Sequence, residues 1–69
     1  MDLSNYHRMD PNLLYSLINM KLRNDFEDLD DLARSLDIDR EELEERLAKA
    51  GFIYHADQNQ FRLRAEHAQ

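Results

Sequence analysis

Cysteine is missing from this 69-residue chain, and with it go disulfides, thiolate nucleophiles and every zinc site built on sulfur. The absence fits a reducing cytosol. No apolar run approaches the roughly 20 residues of a membrane span. The opening MDLSNYHRMD has neither the basic end nor the apolar stretch of a secretion signal. The expected location is therefore cytoplasmic, with no membrane partner. At this length there is room for one small domain with a thin core and no enclosed active-site cavity. A core so thin makes self-association or a partner unsurprising.

Positive charge is scarce over one stretch. The formal net charge is −6, and it is unevenly spread. From Asp25 to Glu45 eleven acids face only Arg34 and Arg40, a local balance of −9; the remainder, with four acids and seven bases, stands at +3. Such a bipolar field repels nucleic acid over one surface and attracts basic groups there.

Residues 1–9 show no period and are expected as a loosely held lead-in. Asp10-Pro11 then reads as a helix start, with Asp as N-cap and Pro at the first helical position. Leu14, Leu17, Ile18 and Leu22 follow helical spacing, with Leu13 and Met20 widening the stripe. Asn24 is expected to close this helix in the left-handed region, with Phe26 plugging the core beneath the connection. Asp28 caps a second helix, whose buried stripe is Leu29, Leu32, Ala33 and Leu36. Asp37 stands at a turn position that needs a permissive residue. Asp39 and Glu42 form a D-x-x-E variant of the capping box and open a third helix carrying Leu43, Leu47 and Ala50. The chain's single glycine, Gly51, ends it.

Beyond Gly51 the period changes to two. Phe52 and Tyr54 share one face, residues 56–59 form a turn, and Phe61 and Leu63 point inward while Gln60, Arg62 and Arg64 face water. A hairpin of this size is stable only when packed on the helices. The predicted fold is mainly α: a three-helix, helix-turn-helix bundle followed by a two-stranded β-hairpin, winged-helix-like. It occupies residues 10–64, and 65–69 is expected as a flexible tail.

In a helix-turn-helix protein the second helix of the motif presents its N-terminal residues to base edges. Here those residues are Arg40, Glu41, Glu42, Glu44 and Glu45. One glutamate can accept from cytosine, but four oppose a duplex carrying a charge every ~1.7 Å. The pairs Glu42–Arg46 and Glu45–Lys49 have the favourable i,i+4 order, at roughly 0.3–0.5 kcal/mol each, so a solvated helix face accounts for the run. A functional account makes Glu41, Glu44 and Glu45 an acidic docking surface, with Tyr15, off the apolar stripe of the first helix, as an exposed aromatic available for a contact. The nucleic-acid alternative uses Lys21 and Arg23 at the end of the first helix, Arg40, and Arg62 and Arg64 on the wing.

Catalysis has little support. His7, His55 and His67 share no ligand spacing, and Ser4, Ser16 and Ser35 have no partnering histidine. Asp37-Ile38-Asp39 lacks the glycine and the later bidentate acid of a calcium loop. The exposed carboxylates lack the burial that separates two pKa values for acid–base work. The chain is expected to be no enzyme, with no cofactor, metal or small-molecule substrate.

The runs MDPNLLYSLINMKLR, DIDREELEERLAKAGFIY and NQF, in that order, resemble a family of short bacterial proteins, the one catalogued as domain of unknown function 4250. The resemblance covers about residues 9–63. It implies a bacterial stand-alone domain and brings no activity, ligand or catalytic residue with it. The sequence thus points to a small non-catalytic module that binds another protein or itself, with phosphate contact by the wing and first-helix cations as the alternative.

Overall fold

The computed structural model describes residues 5–64. Residues 1–4 of the expected lead-in, the expected tail 65–69, Ser4 and His67 lie outside them. A single 3₁₀ turn (Tyr6–Arg8) leads into α1 (Pro11–Asn24), α2 (Leu29–Leu36) and α3 (Arg40–Ala48), followed by β1 (Phe52–His55) and β2 (Gln60–Leu63). The architecture is the expected three helices followed by an antiparallel hairpin. No helix among the described residues is long and apolar enough to cross a membrane.

Each helix starts where the sequence places a cap. Asp10 accepts from the Asn12 N–H with Pro11 in the first turn. Asp28 accepts from the Asp31 N–H at 2.8 Å, and Asp31 answers by accepting from the Glu27 N–H. Asp39 accepts from the N–H groups of Glu41 and Glu42. These contacts satisfy donors that a helix start leaves without partners. The α2–α3 turn closes with Asp37 at φ 59°, ψ 47°, and the Ile38 N–H returns to the Ala33 carbonyl at 2.8 Å. That is the left-handed closure expected at this position.

The end of α1 differs from expectation. Asn24 stays helical and Asp25 follows at φ −123°. The left-handed residue is unnecessary because the terminal carbonyls are claimed from elsewhere. Lys21 O accepts from both Asp25 N and Phe26 N, and Leu22 O accepts from the Asn59 side chain. Ala50 also differs: it is exposed, beyond the end of α3. Gly51 then turns the chain into β1 at φ +94°. The angle, not space, asks for glycine there, since a Cβ would meet only Leu63 Cδ1 at 3.5 Å.

The core is a cluster of Leu14, Ile18, Leu22, Leu29, Leu32, Leu43, Leu47, Phe52 and Phe61, so every element contributes. Leu13 and Met20, expected to widen the α1 stripe, face solvent at 52% and 48% exposure. The buried residues 14, 18 and 22 recur every four, and that narrow stripe is sufficient to cover α2, α3 and β2.

Tyr6, expected in a loose lead-in, is buried at 5% exposure and belongs to this core. Its hydroxyl donates to Glu42 at 3.1 Å. This explains why the capping box at α3 is one-sided: the Glu42 carboxylate takes Tyr6 and pairs with His7 Nε2 at 3.3 Å. Burial, helped by the Glu42 hydrogen bond, pushes the Tyr6 hydroxyl from 10.0 up to about 12. The folded state holds this proton more tightly than the unfolded chain. The stability Tyr6 contributes is therefore complete below pH 10 and lost as pH rises through about 12. In urea melts taken across that range the midpoint is expected to fall less steeply for Tyr6→Phe, which has no proton to lose. Equal slopes would contradict the assignment.

Candidate functional site

The acidic helix α3 carries the most conspicuous charge in the sequence. Arg40, its one cation near the start, is not free to meet a phosphate. Its Nη1 lies 2.8 Å from Asp30 and its Nε 3.4 Å from Glu44, and the guanidinium sits 5.6 Å from the Tyr54 ring centre. The Asp30 hydrogen bond is the main reason its pKa is raised. This pairing also removes Glu44 from the expected docking surface, leaving Glu41 and Glu45 exposed. Arg46 turns inward, donating from Nη2 to the Met9 carbonyl. The expected Glu42–Arg46 and Glu45–Lys49 pairs do not form among the described residues. Instead His7, Glu42, Glu45, Arg46 and Lys49 border a shallow hollow of about 250 Å³, which mixes acids and bases.

The surface between α1 and β2 is different. An open groove of about 400 Å³ runs between α1 and β2, lined by Tyr15, Ser16, Asn19, Met20, Arg23, Gln60 and Arg62. Tyr15, Arg23 and Arg62, candidates drawn from separate arguments in the sequence, are brought together there. Lys21, Arg40 and Arg64 are not. Tyr15 is half-buried rather than exposed, because its ring stacks on Phe52 with centroids 4.1 Å apart. A second hollow, sharing Arg23 and Gln60, continues toward Gln58 and Asn59.

The groove floor is held by amides that sequence reasoning missed. Arg64 N donates to Gly51 O, and the register pairs Tyr54 with Phe61. Alternation along the ladder then leaves the Phe61 N–H and C=O pointing away from β1. Asn19 takes both: its Oδ1 accepts from Phe61 N at 2.7 Å and its Nδ2 donates to Phe61 O at 3.1 Å. A side chain on α1 thus stands in for a third strand and closes the edge of β2. Gln60, expected to face water, is half-buried and donates to the Asn19 carbonyl. Asn59, in the left-handed region at φ 54°, donates to Leu22 O at 3.1 Å and accepts from the Tyr54 hydroxyl at 2.7 Å. That hydroxyl accepts in turn from the Leu29 N–H. Nothing in the spacing of Asn19 announces such a role; an Asn in the middle of a helix was the one available signal.

Among the described residues no group of three His, Cys, Asp or Glu is placed to hold a metal ion. The polar side chains that do converge, Asn19, Tyr54, Asn59 and Gln60, satisfy backbone groups of the fold itself.

A family model described as Domain of unknown function (DUF4250) matches residues 8–61. The chain belongs to that family. None of the curated proteins and none of the solved structures compared with it matches. The matched region runs from just before the α1 cap to Phe61, so it includes Tyr15, Arg23 and the amide network but stops short of Arg62. Tyr54 and Asn59, from the G-F-x-Y and N-Q-F segments of this DUF4250 chain, have their polar ends committed to holding the hairpin on the helices.

Proposed function

We propose that this DUF4250 protein is a small non-catalytic module that binds protein through the exposed face of α1 and the adjoining edge of β2. One observation carries the reading. Leu13 and Met20 are the large hydrophobic side chains left exposed among the described residues. They lie seven residues apart on one helix, so they share a face, beside the groove of Tyr15, Arg23 and Arg62. Isolated exposed apolar residues are ordinary. Two aligned on a single helix, flanked by cations, form a recognition face of the kind used in helix packing. The acidic α3 packs against α1 from its buried side, which makes α3 a solubilising face and not the contact.

A photo-crosslinking amino acid placed at position 20, in cells, tests this against one placed at Ser35 on the exposed side of α2. A discrete protein adduct at position 20 and none at position 35 is expected. Equal adducts at both positions, or none at position 20, would refute the reading.

A second reading has one observation in its favour: Arg23 and Arg62 line the same groove as an aromatic ring, an arrangement suited to a phosphate and its base. Each phosphate contact made there would add about −0.9 to the log–log salt slope on duplex DNA. Absence of any anisotropy change with labelled duplex or single strand at low salt removes it.

A further inference from the structure

Resting on that interaction reading, we infer that the occupant of the α1 face is a second copy of this chain, packed antiparallel about a twofold axis beside Ser16. The order of residues along the exposed face is self-complementary. Leu13 and Met20 stand on either side of Ser16, which is exposed and small. A twofold placed at the level between residues 16 and 17 sets Leu13 of each copy against Met20 of the other. Ser16 then lies at the crossing, where a small side chain lets two helices approach closely.

Charge agrees with the same register. It brings the exposed Arg23 level with the exposed Asp10 of the second copy. The two Arg23 side chains stay about 20 Å apart along the helices, at 1.5 Å per residue. The helix dipoles oppose one another. Because α1 buries its other face on α2, α3 and β2, the acidic blocks of the two copies point away from the seam. A parallel pairing, or one using α3, would set like charges together.

The length of the seam bounds its size. Fourteen residues of α1 give a seam about 21 Å long. One helix pair of that length falls short of the roughly 1,200 Å² typical of a stable interface. A dimer on this seam is therefore of the weak, transient class, closing as a pair instead of growing into a filament.

A chain with no cysteine gives a direct test. With helix axes about 8–10 Å apart and Cα atoms about 2.3 Å from each axis, the two Ser16 Cα atoms lie about 5 Å apart. That is inside the range of about 4.4–6.8 Å that a disulfide spans. Mild oxidation of purified Ser16→Cys is expected to give a covalent dimer, while Ser35→Cys remains monomeric. In sedimentation the wild type should rise above 8.3 kDa with concentration. The double variant L13E/M20E should associate at least about 100-fold more weakly, a tenfold change being 1.4 kcal/mol. If that variant fails to fold, the two cysteine variants still decide. A wild type that stays monomeric, or a Ser16→Cys that dimerises no better than Ser35→Cys, overturns the inference. If the purified chain is monomeric while position 20 captures a heavier protein in cells, self-pairing fails and the interaction reading stands.

Discussion

Replacing Phe61 with alanine is expected to remove about half of the protein's stability, roughly 3–5 kcal/mol. The ring is fully buried, 5.4 Å from that of Tyr54, and lies in the core cluster with residues from all three helices. Removing such a ring costs about 3–5 kcal/mol, the lost transfer energy plus the cavity left behind. A domain of this length has roughly 3–10 kcal/mol in total. One side chain thus accounts for a large share of the stability, which is what a thin core means in practice. A urea midpoint reduced to about half the wild-type value or lower, followed by helical circular dichroism, is the expected result. A midpoint near wild type would show that the hairpin is not packed on the helices as described.

Asn59→Ala is expected to be the next most damaging change, at about 2–3 kcal/mol. Two causes add. Alanine in the left-handed region costs about 1 kcal/mol, and the two hydrogen bonds of the amide contribute about 1 kcal/mol each. Asn59→Gly separates them, because glycine keeps the backbone freedom and loses only the amide. It should recover about 1 kcal/mol relative to Asn59→Ala. Tyr54→Phe removes one partner of the same relay and should cost about 1 kcal/mol. Equal destabilisation by Asn59→Ala and Asn59→Gly in urea melts would mean that the turn angle matters little.

These two residues mark the border between what sequence showed and what it concealed. The caps at Asp10, Asp28 and Asp39, the left-handed turn at Asp37 and the change of period at Gly51 are local signals, each satisfied within a few residues, and each was legible. Asn24 was misread because the cap of α1 comes from Asn59, across the fold. Tyr6 was misread because its burial depends on α3 and not on its own segment. The expected acidic docking surface lost Glu44 to Arg40, a pairing that also drew in Asp30 on a different helix. The groove residues Tyr15, Arg23 and Arg62 were each named from sequence, but their convergence was not, since it depends on β2 lying along α1. Leu13 and Met20 carry the functional reading and were assigned to the core, because periodicity alone cannot say how wide a buried stripe must be.

The central claim is that α1 presents its exposed face to a second copy, while the acidic α3 stays in solvent. Two-dimensional amide spectra of the purified chain, recorded from dilute to millimolar concentration, test it residue by residue. Concentration-dependent shifts gathered at Leu13, Ser16, Met20 and Arg23, with Glu41, Glu44 and Glu45 unmoved, are the expected result. Shifts gathered on the three glutamates, or spectra identical at every concentration, would contradict it.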